Sequence, residues 1–153
     1  MRPIKYRAKD AKTGEWLYGY YVEQHMPEYD NDQPDRITGY THLPMLFNDE
    51  PGLRDSFYWH EVVSDTVGQF TGLRDINGKD IYEGDILDVN YADEESHLDV
   101  RFVRGMFAFL WNGDLDDEFP CNAPTHEWAK VIGNIHDNPE LLTNTNRTNR
   151  TNL

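Results

Sequence analysis

Turn signals recur so closely along this 153-residue chain that no amphipathic helical period longer than about 10 residues fits between them. Between the signals lie short runs rich in β-branched and aromatic residues, the composition of strands on a half-buried sheet. The chain from Ile4 meets the turn Asp10-Ala11-Lys12-Thr13-Gly14 and continues into residues 16–22, a predicted hairpin. Residues 24–36 collect two prolines with Asp and Asn and carry no apolar period, which predicts an exposed connection. Strands are expected over residues 37–47 and 57–63, on either side of the turn signal Asn48-Asp49-Glu50-Pro51-Gly52.

The segment 66–90, TVGQFTGLRDINGKDIYEGDILDVN, reads as strand, turn, strand. Asn77-Gly78 predicts a two-residue hairpin turn, because that turn needs positive φ angles. Glu83-Gly84-Asp85-Ile86 reads as a strand entry of the kind found in small SH3-like barrels: glycine permits the bend and the acid can bond neighbouring N–H groups. After the acidic stretch 92–96, a hairpin with Gly105 in its bend joins residues 98–104 to 106–111, and residues 128–135 form a closing strand. Asn138-Pro139-Glu140-Leu141-Leu142 starts a short helix or docks its leucines. The expected fold class is all-β: a small partly open SH3-like barrel with an N-terminal β-hairpin subdomain. Residues 1–60 make the subdomain with its variable loop, 61–142 the barrel-like core, and 143–153 a polar low-complexity tail of Thr, Asn and Arg.

The order of several short motifs resembles the YopX family of uncharacterised phage and prophage proteins. The residues are Tyr6-Arg7-Ala8, Gly14-Glu15-Trp16, Val67-Gly68-Gln69-Phe70-Thr71-Gly72-Leu73, Asp75, Asn77-Gly78-Lys79 and Ile81-Tyr82-Glu83-Gly84-Asp85-Ile86. Val131-Ile132-Gly133-Asn134-Ile135 and Asn138-Pro139-Glu140-Leu141-Leu142 complete the series. The resemblance implies a mainly β fold, an origin in mobile or phage DNA and a tendency to self-associate. It implies no biochemical activity and brings no catalytic residues.

Charge narrows the partners. The 28 acidic against 14 basic side chains give a net charge of −14, which repels phosphate backbones and anionic lipid. Direct nucleic-acid or membrane binding is therefore not expected. Residues 1–23 are the locally basic exception, with Arg2, Lys5, Arg7, Lys9 and Lys12 against Asp10, Glu15 and Glu23. The opening MRPIKYRAKD carries no apolar export signal, and no apolar run reaches the roughly 18 residues of a membrane span. With Cys121 the single cysteine, a soluble chain in a reducing cytoplasm is expected.

Each catalytic or ligand-binding pattern meets a more economical explanation. Gly72 to Gly78 with Lys79 lacks P-loop spacing and has Asp80 where a hydroxyl belongs, and no G-x-G-x-x-G occurs. Asp75 and Asn77 match the first places of an EF-hand loop, but Gly78 comes at the fourth place instead of the sixth. Asp85 reads as structural. Asp114, Asp116, Asp117 and Glu118 with His126 could gather a divalent metal for phosphodiester hydrolysis, although charge runs usually face water. The histidines at 25, 42, 60, 97, 126 and 136 show no H-x-x-x-H or H-E-x-x-H spacing.

His60-Glu61 beside Ser64-Asp65 lacks a nucleophile elbow, and Cys121 after Pro120 lacks a neighbour that would lower its pKa. Trp16, Trp59, Trp111 and Trp128 lie in expected strands and read as core or interface; stacking on single-stranded bases would need interleaved cations. No catalytic, cofactor or metal residues are assigned, and no cofactor is expected. The expectation is a non-enzymatic accessory module, acting as a homo-oligomer and on a host or phage protein. An acidic nucleic-acid mimic that inhibits a host protein is the second reading.

Overall fold

The computed structural model describes residues 4–29, 32, 37–48, 58–91, 94–111, 113–116, 118–121 and 124–142. The expected tail, 143–153, lies outside the described residues. The chain folds as two compact units, one from Ile4 to Gln69 and one from Phe70 onward. Among the described residues every regular element is a β-strand or a short 3₁₀ turn, so the all-β expectation holds.

In the first unit β1 (Tyr6–Lys9) and β2 (Trp16–Tyr29) form the predicted hairpin, in register from Tyr6 opposite Gly19 to Lys9 opposite Trp16. Asp10 builds its turn: one carboxylate oxygen accepts the N–H groups of Lys12 (2.7 Å) and Thr13 (2.9 Å), and Gly14 takes φ +72°. β3 (Ile37–Asn48) lies against β2, and β4 (Tyr58–Glu61) against β3.

The exposed connection expected over 24–36 is shorter than the sequence suggests. β2 runs on to Tyr29 and pairs with β3 as far as Ile37, through a bulge after Glu28. This ribbon is held by main-chain ladder bonds, which need no apolar alternation. Beyond Gly19 the register gives β2 the β3 ladder alone, the setting in which Pro27, lacking an N–H, can be carried.

Ala8, Leu46 and Val62 are fully buried on the inner face, with Tyr6, Leu17, Tyr21 and Val67 packed on them. The chain after β4 turns back to the end of β1: Ala11 N–H donates to the Glu61 carbonyl and Val63 N–H to the Lys9 carbonyl, both at 2.9 Å.

The second unit starts within β5 (Gly68–Arg74), whose later part pairs with β6 (Asp80–Tyr82). Beside that hairpin, β7 (Asp85–Tyr91), β8 (Glu94–Val103), β9 (Met106–Trp111), β10 (Glu118–Pro120) and β11 (Ala129–Asn134) form a sheet in the order β10-β9-β8-β7-β11. β8 begins at Glu94, inside the stretch expected as an acidic connection. One face buries Leu87, Val89, Leu98, Val100 and Phe109 against Ile81 and Ala129. Phe109 meets Trp128 edge-to-face at 5.6 Å, a favoured aromatic geometry. The sheets remain open and do not close into the barrel expected.

Two turns refine the sequence reading. Between β5 and β6 only Gly78 has positive φ (+77°). Its N–H donates to the Asp75 carbonyl while Asp75 N–H donates to that of Lys79, so the loop has three residues, not two. Between β8 and β9 both Arg104 (φ 49°) and Gly105 (φ 84°) are left-handed, the two-residue turn whose bend was expected at Gly105.

Candidate interaction face

Strand alternation sorts the first unit into two faces. Leu17 and Tyr21 of β2 point to the core, so Trp16, Tyr18, Tyr20 and Val22 point the other way. Three of these carry large exposed fractions: Tyr18 49%, Tyr20 48% and Val22 42%. Trp59 on β4, 52% exposed, shares the face, because its register partner Phe47 is also the partner of Tyr20. Successive side chains on this face stand about 6.8 Å apart along β2.

β1 adds cations. Arg7, buried at 5% exposure, lies opposite Tyr18, and half-buried Lys9 lies opposite Trp16. The Arg7 guanidinium sits 4.8 Å and the Lys9 ammonium 5.5 Å from the centre of the Trp16 ring, both within cation–π range. Lys5 precedes them in the same alternation. The sequence reading, which looked for cations beside each tryptophan along the chain, missed this row. The i, i+2 spacing of Lys5, Arg7 and Lys9 and of Trp16, Tyr18, Tyr20 and Val22 was the signal available.

Behind this face His60 Nδ1 lies 2.9 Å from Asp10 Oδ2. The N–H donors of Thr13 and Lys12, with His60, hold the Asp10 carboxyl below its ordinary pKa. His60 therefore locks the β1–β2 turn to β4. Ser64 and Asp65 belong to a 3₁₀ turn in which Thr66 Oγ1 donates to the Val63 carbonyl at 2.6 Å and accepts from Lys9 N–H at 2.9 Å.

The other residues singled out from sequence take structural roles or stand apart. Asp75, 1% exposed, accepts the N–H groups of Asn77 (2.8 Å), Lys79 (2.9 Å) and Val131 (3.0 Å), so its oxygens are engaged by main chain. Asp85 accepts Tyr82 N–H at 2.8 Å, the bonding expected of it. Asp114 and Asp116 are joined through a 3.0 Å bond from Asp116 N–H, and Glu118 pairs with Arg104 instead. Asp117 and the His126 side chain lie outside the described residues. Among those described, no three His, Cys, Asp or Glu residues are placed to hold a metal ion.

His97 Nδ1 bonds the Leu141 carbonyl at 2.8 Å and anchors the 3₁₀ turn Pro139–Leu142. His25 and His42 are register partners, with side chains outside the described residues. Cys121 packs on the second core, where burial pushes its thiol pKa up to about 12. Trp111 and Trp128 join the same core. Among the described residues no helix is long and apolar enough to cross a membrane.

A family model described as YopX protein matches residues 5–143. No curated protein matches the chain. Among solved structures, the crystal structure of protein EF1440 from Enterococcus faecalis is similar, at 28% identity and a TM-score of 0.48, covering 93% of this chain and 99% of that one.

Proposed function

The chain belongs to the YopX family, and on that premise we propose that it is a non-enzymatic accessory module of phage or prophage origin. It works in the cytoplasm by protein contact, assembling as a homo-oligomer through the outer face of the first unit. The observation that carries this reading is the co-planar exposure of Tyr18, Tyr20, Val22 and Trp59, at 42% to 52% each. Half-exposing three aromatic side chains that could each bury some 150–250 Å² leaves roughly 300 Å² of aromatic surface on one patch. The largest contiguous apolar patch on a typical monomer is about 300–600 Å² and is often functional, so this patch stands at the lower end of that range.

Tyr20→Lys and Trp59→Ser, alone and together, test the reading by light scattering over a concentration series. The wild-type mass should exceed the 17.9 kDa of one chain and the double variant should return to it. A wild-type protein that stays at 17.9 kDa throughout overturns the proposal.

A further inference from the structure

The β2–β3 register brings together two histidines that sequence spacing keeps apart. His25 on β2 and His42 on β3 are direct partners in the antiparallel ladder. Residues so paired share one face of the ribbon with Cβ atoms about 4.5–5.5 Å apart, a separation that one metal ion bonded to two imidazoles at about 2 Å each can span. No H-x-x-x-H spacing is needed on a ladder, because the second ligand comes from the neighbouring strand.

The place of the pair in the fold favours a ligand. Leu17 and Tyr21 pack on the first core, and Tyr21 lies opposite buried Leu46. Glu23–Pro44 and His25–His42 are the next two pairs on that face, and Glu23 is exposed. Just past the core, the face thus changes from apolar residues to one acid and two histidines. β1 registers with β2 only as far as Gly19, and β4 with β3 only from Met45, so among the described residues the ribbon here has two strands. Two strands alone are marginally stable, and an ion that ties one to the other stabilises the paired state.

We propose that His25 and His42 form a site for one late first-row divalent metal ion, which staples β2 to β3, with Glu23 as the carboxylate on the same face. Imidazole suits zinc, copper and nickel, whereas magnesium and calcium take oxygen donors. The site lies on the opposite face of β2 from Tyr18, Tyr20 and Val22, so its test is independent of the assembly reading.

The experiment is calorimetric titration of the full chain with Zn²⁺, and with Mg²⁺ as control, on wild type, His25→Ala, His42→Ala and the double variant, each checked for folding by circular dichroism. The wild type should bind one Zn²⁺ here and no Mg²⁺. Each single variant should bind roughly tenfold or more weakly, at least the loss that removing an outer-shell partner causes. The double variant should be little worse than either single one, because one imidazole alone makes no chelate. Amide exchange across residues 23–28 and 39–43 of the wild type should also slow when Zn²⁺ is added, a readout that needs no variant. No Zn²⁺ binding by the wild type, equal affinity in wild type and double variant, or Zn²⁺ binding that leaves exchange in the ribbon unchanged overturns the proposal.

Discussion

The carboxylate of Asp75 holds the main-chain N–H of Val131 at 3.0 Å across 56 residues of sequence. The same side chain takes Asn77 and Lys79 N–H within its own turn, so one buried acid fixes the β5–β6 loop and fastens it to the outer edge of β11. Removing it strands three donors. Asp75→Ala should therefore cost about 2–4 kcal/mol of stability, measured by urea unfolding. A loss below about 0.5 kcal/mol would show that water replaces these bonds without penalty.

The pH dependence follows from the same contacts. Burial acts to raise the Asp75 pKa, but the N–H donors of Val131, Lys79 and Asn77, with the Lys79 charge, together hold it below the ordinary 3.8. A carboxyl depressed in the folded state adds stability that is fully present above its unfolded pKa and is lost as pH falls through the folded one. Asp10 acts in the same direction. Urea midpoints should be flat with respect to these groups down to about pH 4 and then fall, and the fall should be shallower in Asp75→Asn. Parallel curves for the two proteins would refute the assignment.

Glycines 78 and 133 should fail for different reasons. Gly78 has φ +77° and no atom within 4 Å of where a Cβ would stand, so Gly78→Val costs backbone strain alone, about 1–3 kcal/mol. A Cβ on Gly133 would lie 2.5 Å from Asn138 Oδ1 and 2.9 Å from its Cγ, and Asn138 is anchored by its N–H to the Asn134 carbonyl at 2.8 Å. Gly133→Ala should thus be partly rescued by Asn138→Ala in a double-mutant cycle. Strict additivity would place the strain elsewhere.

Cys121 should be inert in the folded protein. With its thiol pKa near 12, roughly one thiol in 10⁴ is ionised at pH 8. Thiol-reagent labelling should be slow in buffer and rapid in denaturant. Equal rates would contradict its burial on the second core.

What could be read from sequence was whatever is local. Gly105 at its bend, Gly84 at a strand entry and Asp10 in its turn each carry their signal within a few residues. The span of β2 and β3 escaped because a ladder of main-chain bonds leaves no apolar period to read around Pro27. The Asp75–Val131 and Asp10–His60 links escaped because 56 and 50 residues separate the partners. The exposed aromatic face is intermediate. Its two alternating rows are visible along the chain, but only the β1–β2 register shows that Lys9 and Arg7 stand over Trp16.

The central claim, that the outer face of the first unit is covered when copies assemble, is tested most directly by oxidative footprinting at dilute and concentrated protein, read residue by residue in a mass spectrometer. Tyr18, Tyr20 and Trp59 should lose reactivity as concentration rises, while exposed Met106 on β9, 36% accessible, serves as the internal reference. Unchanged reactivity at all three aromatic residues, in a sample that light scattering shows to be assembled, would contradict the account.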